Sequence, residues 1–225
     1  MNKIIHQTWK TMEIPDVINI EWPDSWKNNY PTWDYKLWTD DDNRALISEV
    51  KPDFLNVYDG YPFSIQRADA IRYFYMYYYG GIYVDLDFLS LKNMEKILAV
   101  SNIVIGCNNT CKDSKQVIPN AFLYSIKGHS FWLYCIDQLS LNLSGDVHDT
   151  TGSAFLKKCL CHYLPEGLHL LKSEFIYPIN WESYSIAKRS MPLKYYQNPE
   201  IYFPNSYAVT FWTGSWFSGG GHQNE

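Results

Sequence analysis

The sequence lacks a basic excess. Its 19 lysines and arginines are outnumbered by 24 acidic residues, for a formal net charge of −5. A chain with no basic face has little to offer a phosphate backbone, so nucleic-acid binding is excluded as its business. It also lacks a long apolar run: nothing approaches the roughly 18 consecutive apolar residues of a membrane span. The opening Met1-Asn2-Lys3-Ile4-Ile5-His6 runs straight into a strand-like pattern, without the architecture of a signal peptide. Together these absences give the expectation of a soluble, cytoplasmic protein. A disulfide framework is missing too, because five cysteines (107, 111, 135, 159 and 161) are an odd number with no secretory context. The cluster Cys159-x-Cys161-His162, with His169 beyond it, fits no common zinc spacing and lies in an amphipathic helical stretch, so helix packing is the reading there. No repeat, low-complexity tract or linker interrupts the chain before Ser218-Gly219-Gly220-Gly221.

What is present is a folded α/β domain rich in aromatic residues. Apolar residues make up 46% and charged ones 19% of 225 residues, enough for one core and too little for two domains. The expected organisation is a single domain over residues 1–217 and a flexible tail over 218–225. Nineteen tyrosines and nine tryptophans suit stacking on sugars and nucleobases, and equally suit a core and its rim. Strands are expected at 3–6, 33–38, 82–84, 102–106, 121–125, 168–171 and 207–212. Helices are expected at 44–50, 64–79, 93–99, 131–143 and 153–164. The stretch Trp22-Pro23-Asp24-Ser25-Trp26 reads as too irregular for a regular element, and the acidic run Asp40-Asp41-Asp42 as the N-terminus of a helix. Alternating strands and helices imply a mostly parallel sheet with ligands at the strands' carboxyl ends.

At one such end stands Gly80-Gly81-Ile82-Tyr83-Val84-Asp85-Leu86-Asp87. Two carboxylates at i and i+2 of a strand share a face, roughly 6–7 Å apart at the backbone. Like charges so placed repel and raise each other's pKa. A hard divalent cation removes that penalty, and it also stabilises charge growing on a departing diphosphate. Upstream, Asp69 and Arg72 lie three apart on one helical face among Ile65, Ala68, Ile71, Phe74 and Tyr75. A charged pair in so apolar a helix is partly buried and marks a functional site rather than a surface ion pair.

These residues carry a resemblance. Gln66-Arg67-Ala68-Asp69-Ala70-Ile71-Arg72-Tyr73, followed by Tyr79 to Asp87, resembles the signature of glycosyltransferase family 32. That family includes initiating α-1,6-mannosyltransferases and capsular-sugar transferases, and the motif is similar to that of the glucosylating domains of large clostridial toxins. Ile4-Ile5-His6-Gln7-Thr8-Trp9-Lys10, Ser25-Trp26 through Trp38-Thr39-Asp40, Asn120-Ala121-Phe122 with Gly128-His129, and Gly214-Ser215-Trp216 resemble further blocks of it. The resemblance implies a GT-A fold, a single Rossmann-like α/β domain, and transfer of a hexose from a UDP- or GDP-linked donor to a saccharide or other hydroxyl acceptor. It implies retention of anomeric configuration and a Mn²⁺ or Mg²⁺ ion. By position, Asp85 touches donor sugar and ribose, and Asp87 ligates the metal together with Asp85 and Ser215. Asp69 and Arg72 bind sugar hydroxyls, Tyr83 sits near the nucleoside, and Asn120 lies by the anomeric centre. Thr8 and Trp9 border the nucleotide, while Ser215 and Trp216 close over the diphosphate. One departure stands out: many relatives have histidine where this sequence has Thr210 and Phe211, which leaves the C-terminal metal ligand open among Ser215, water and His222.

Three other readings are weaker. A phosphatase of the Asp-x-Asp type wants the motif on its first strand and a small hydroxyl residue four after the nucleophile, where Leu89 stands. A glycoside hydrolase wants a second acid flanking the scissile bond. A catalytically silent sugar- or nucleotide-binding relative would explain the missing histidine, but it leaves the intact Asp69, Arg72, Asp85 and Asp87 without a purpose.

Overall fold

The computed structural model describes residues 2–108, 118–179, 195 and 197–214. Its strands are β1 (Ile4–Thr8), β2 (Asp34–Trp38), β3 (Gly81–Val84), β4 (Phe88–Ser90), β5 (Ile103–Gly106), β6 (Phe122–Ser125), β7 (Leu168–Leu171) and β8 (Ala208–Thr210). The helices used below are α1 (Glu21–Asn29), α2 (Asp40–Val50), α3 (Leu55–Asp59), α4 (Ser64–Tyr78), α5 (Glu95–Leu98), α6 (Ser130–Leu139), α7 (Val147–Thr150), α8 (Ser153–His162) and α9 (Ser173–Ile176).

Six strands form one sheet in the order β2-β1-β3-β6-β5-β7. β1 runs parallel to β2 and β3, and β5 runs parallel to β7, whereas β6 is antiparallel to both β3 and β5. The sheet is therefore mostly parallel, as expected, with one strand reversed. Side chains alternate across it as a pleated strand requires. Tyr83, Ile103, Ile105 and Leu123 face one core with Tyr73, Phe74 and Trp132 of α4 and α6. Ile5, Ile82, Val84, Val104 and Phe122 face the other with Trp26 of α1, Leu98 of α5 and Ile176 of α9. The result is a sheet covered by helices on both faces.

Helix α4 is the axis of the first layer and is buried continuously from Asp69 to Met76, Arg72 included, and at Gln66. It ends as anticipated at the glycine pair, since Gly80 and Gly81 take φ of 67° and 86°, a region open to glycine. A Cβ on Gly81 would sit 2.2 Å from the carbonyl oxygen of Ile4. The chain must reverse there against β1, so the pair is a steric requirement. His6 seals the turn. Its Nδ1 accepts from the Trp38 indole at 3.0 Å, so Nε2 carries the proton and donates to Gly80 O at 2.9 Å.

Four expectations are corrected. Residues 22–26 are not irregular but belong to α1, because Pro23 falls in its first turn, where an amide proton would have no intrahelical partner. Residues 207–212 do not extend the main sheet: β8 pairs antiparallel with β4 in a separate two-stranded sheet. Asp85 to Asp87 do not continue a strand, since β3 stops at Val84 and a turn precedes β4. The alternation argument thus does not set the directions of the two carboxylates. Residues 93–99 shrink to the single turn of α5. The acidic run does begin a helix: Thr39 caps α2 in a reciprocal box with Asp42. Cys159 is buried in α8, Cys161 is exposed, and the His162 ring meets Lys158 O at 2.8 Å, which is packing and local bonding. Among the described residues no helix is long and apolar enough to cross a membrane.

Candidate active site

The site grows from the carboxyl end of β3 and the middle of α4. Asp69 and Arg72, one turn apart on α4, are only 5% and 3% exposed. Their ion pair spans 3.0 Å from Nη2 to Oδ1. A buried charge needs bonded partners, and the structure supplies several. Arg72 Nη1 donates to the carbonyl of Asn120 at 2.8 Å and lies 3.4 Å from Asp85 Oδ1, while its Nε donates to Ala68 O at 3.1 Å. The guanidinium also lies over the Tyr83 ring, 4.6 Å from its centre, a favourable cation–π arrangement. Asp69 Oδ1 accepts from the Asn120 amide at 3.0 Å, and Oδ2 from the Thr151 hydroxyl at 3.4 Å.

Asp85 sits just beyond β3, its side chain about one-third exposed. Its Oδ1 accepts a 2.6 Å hydrogen bond from the Tyr83 hydroxyl. Its backbone is pinned from both sides: the N–H donates to Ala121 O at 3.0 Å, and the carbonyl accepts from Gln7 Nε2 at 3.2 Å. Gln7 is itself oriented by the Tyr35 hydroxyl at 2.6 Å. Asp87 turns elsewhere. Its Oδ1 accepts from Thr210 Oγ1 at 3.2 Å, and its Oδ2 from the Thr213 amide at 2.9 Å and hydroxyl at 3.2 Å.

The electrostatics are unbalanced. Two carboxylates, Asp69 and Asp85, share one guanidinium, and Asp87 stands near Asp85 with hydroxyl and amide donors on its oxygens. Burial pushes the Asp87 carboxyl up to about 6, Asp85's charge pushes the same way, and the bonds from Thr213 and Thr210 oppose both. Burial raises Asp69 as well, against the pull of Arg72 and Asn120. For Arg72, burial works against the charge but is outweighed by Asp85, Tyr83 and Asp69, so the guanidinium stays protonated. Burial likewise keeps the Tyr83 phenol protonated as a donor.

The structure brings together Asp69, Arg72, Tyr83, Asp85 and Asn120, with Asp87 two residues on. Thr8 lies on the neighbouring strand at the same sheet edge, where its hydroxyl donates to Trp38 O at 3.1 Å and accepts from Asn43 at 2.9 Å. Trp9 packs against the small cluster of Ile18, Trp22, Leu86, Val209 and Phe211 beside the Asp85–Asp87 turn. Ser215, Trp216 and His222 lie outside the described residues.

Sequence reasoning missed the residues that complete the cluster. Thr151 bonds Asp69, and its carbonyl accepts from the Tyr73 hydroxyl at 2.7 Å. Gln66 Nε2 donates to Thr150 Oγ1 at 2.8 Å. A Cβ on Gly152 would stand 3.2 Å from Asp69 Oδ2. The signal was Thr150-Thr151-Gly152 itself, a small-residue turn that only matters once it folds onto α4.

Two carboxylates at one turn suit a hard divalent cation, and Mg²⁺-type ions take one or two protein carboxylates plus substrate phosphates and water. Among the described residues no group of three or more His, Cys, Asp or Glu is placed to hold a metal. The donor set here, Asp85 and Asp87 with an uncompensated charge, fits an ion that arrives with a phosphorylated ligand.

Comparison with known proteins points the same way. Residues 19–104 match the family described as glycosyltransferase sugar-binding region containing DXD motif. Inositol phosphoceramide mannosyltransferase 3 of Schizosaccharomyces pombe is 38% identical over 151 residues, which is 61% of this chain and 36% of that protein. Inositol phosphoceramide mannosyltransferase 2 of the same yeast is 48% identical over 92 residues, 38% of this chain and 24% of that protein. The rat lactosylceramide 4-alpha-galactosyltransferase is 30% identical over 127 residues, covering 52% and 33% of the two. The chain therefore spans about a third or less of the length of these curated relatives. Among solved structures, the PaToxG glycosyltransferase superposes with a TM-score of 0.52 at 17% identity, covering 72% of this chain and 70% of that one. That likeness carries the fold, which is the GT-A type.

Proposed function

The chain belongs to glycosyltransferase family 32, the DXD-containing glycosyltransferases, and from that premise we propose that it moves a hexose from a nucleoside-diphosphate donor to a hydroxyl acceptor with retention of configuration. The observation that carries this reading is the carboxyl end of β3, where Asp69 and Asp85 flank the Arg72 guanidinium and Asp87 follows two residues on, bonded by Thr210 and Thr213. A sugar offers hydroxyls that both donate and accept, and buried Asp69 and Arg72 present an acceptor and a donor side by side. Asn120 fixes the Asp69 carboxylate, and its carbonyl fixes Arg72. Asp85, braced by Tyr83 and Arg72 but partly open, receives ribose and sugar hydroxyls. Retention fits a transfer in which the departing diphosphate stays on the acceptor's side and takes up the acceptor proton.

Asp85 and Asp87 would hold a Mn²⁺ or Mg²⁺ ion, which when bound supplies charge stabilisation to the departing diphosphate. Ser215 and Trp216 are assigned to the diphosphate, and Thr8 and Trp9 to the nucleoside, by their place in the sequence. The names of the relatives above refer to inositol phosphoceramide and lactosylceramide, so a glycan or lipid-linked hydroxyl is the class we infer. Residues 1–217 form the catalytic unit in this reading.

The test is nucleotide release from a panel of UDP- and GDP-sugars with Mn²⁺, Mg²⁺ or EDTA, using wild type and Asp87→Ala. Metal-dependent release abolished in the variant is expected. Binding of nucleotide with no turnover of any donor would favour a silent binding protein. Undiminished turnover in Asp87→Ala would remove the metal assignment.

A further inference from the structure

The Asp87 side chain is held by residues more than a hundred positions away. β4 and β8 pair with Phe88 opposite Thr210, and one more ladder bond, Phe211 N to Asp87 O at 3.0 Å, carries the pairing past the strand end. The chain then bends sharply at Trp212, the one non-glycine residue with positive φ (47°) among the described residues. A bulky residue in that region is disfavoured by about 1 kcal/mol or more. It persists because neighbours over-determine it. The Trp212 amide donates to Thr210 Oγ1 at 3.3 Å, its indole N–H donates to Ile179 O at 2.7 Å, and its ring stacks on Tyr177 at 5.6 Å. The bend aims both the amide and the hydroxyl of Thr213 at Asp87 Oδ2, while Thr210 takes Oδ1. Strain that is held in place beside a functional carboxylate is a reason to look for a function.

We propose that Thr210 and Thr213 are positioning residues: together with the Trp212 bend they clamp both oxygens of Asp87 and fix the orientation in which it meets a divalent cation. The inference rests on the metal role given to Asp87 above. Three donors converge on one carboxylate. Rotating that carboxylate means giving up all of them, whereas an unclamped aspartate turns freely about its side-chain bonds. The arrangement also ties the metal end of the site to residues 211–214, directly ahead of Ser215 and Trp216.

The experiment uses the full chain and free Mn²⁺, followed by its electron paramagnetic resonance signal. Thr210→Val/Thr213→Val keeps the branched shape and the Thr213 amide but removes both hydroxyls; Thr210→Ser/Thr213→Ser restores them. Circular dichroism checks that each is folded. Loss of two charge-assisted bonds is expected to weaken Mn²⁺ binding about tenfold or more in the valine pair, with the serine pair within about threefold of wild type. In turnover, the valine pair should raise the KM for Mn²⁺ more than it lowers kcat. Equal Mn²⁺ affinity in wild type and a folded valine pair overturns the clamp and leaves the metal role standing. No saturable Mn²⁺ binding by wild type, with or without UDP or GDP, overturns the metal role and the clamp with it. Should the valine pair not fold, Thr210→Val alone is read against Thr210→Ser by the same criterion.

Discussion

Substituting His6 makes a test of how the glycine turn that aims β3 is held. The ring is fully buried and bridges Trp38 Nε1 and Gly80 O at 3.0 and 2.9 Å. Burial lowers its pKa from 6.5 to about 4, against the bond to Gly80 and with a further push from Lys36. The folded state thus refuses a proton that the unfolded chain accepts. Above pH 6.5 both states are neutral and the group costs nothing. As pH falls from 6.5 towards 4 the unfolded state gains, and stability is lost at about 1.4 kcal/mol per pH unit, to about 3 kcal/mol in all. Asp87 works in the opposite sense within the same window, because a carboxyl raised to about 6 binds its proton first in the folded state, which gains stability as pH falls. The two contributions oppose each other in the wild-type profile, so the informative quantity is a difference. In urea unfolding of wild type and His6→Gln, Asp87 cancels. The variant should be less stable by about 1–3 kcal/mol at pH 7.5, from its imperfect bonds to Trp38 and Gly80. That gap should narrow by about 2 kcal/mol at pH 5.0. A gap that is the same at both pH values would show that His6 titrates normally and that its neutral, bridging form does not brace the turn.

Three further outcomes follow from the same geometry. Gly81→Ala should cost more than about 3 kcal/mol or prevent folding, since its Cβ would meet Ile4 O at 2.2 Å, whereas Gly128→Ala, also at positive φ but with nothing within 4 Å, should cost about 1 kcal/mol; urea titration of the two separates steric exclusion from backbone strain. Arg72→Lys cannot reproduce a fork that meets Asp69, Asp85 and Asn120 at once, so turnover should fall about a hundredfold or more and stability by about 2–3 kcal/mol. A lysine variant with near wild-type turnover would mean that charge alone suffices there. Tyr83→Phe removes the 2.6 Å bond to Asp85 but keeps the ring under Arg72, and should raise the donor KM by about tenfold in steady-state kinetics while leaving the melting temperature within a few degrees.

What could be read from the sequence was what local chemistry determines. A fifteen-residue helix stopped by two glycines and followed by an apolar strand is written in neighbouring residues, and so is the capped start of α2. Asp69 and Arg72 could be paired because helical geometry relates positions three apart. The stretch 22–26 looks irregular by composition, yet Pro23 falls in the first turn of α1, where it is harmless. The direction of β6 and the separate β4–β8 sheet were not legible, because strand pairing is settled by packing between distant segments. The same holds for Thr151 on Asp69 and Thr213 on Asp87, separated by 82 and 126 positions. A threonine carries no sign of its partner until the fold supplies it.

The carboxylates differ in how they are held, and the difference orders the site. Asp69 is buried, paired and bonded on both oxygens by residues of three separate segments, so it cannot change its direction cheaply. Asp85 shares its Oδ1 with Tyr83 and Arg72 yet keeps about a third of its side chain in solvent. Among the described residues the Asp87 side chain is bonded by Thr210 and Thr213, and burial, with Asp85's charge, raises its pKa. A ligand that brought positive charge would be attracted most at Asp87 and least at Asp69, where Arg72 already stands. A neutral polyhydroxyl ring would find the reverse, since fixed donors and acceptors recognise hydroxyls best where they do not move. In the proposed reading the cation would lie towards Asp87 and the sugar towards Asp69, with Asp85 between them in the sequence and able to serve both.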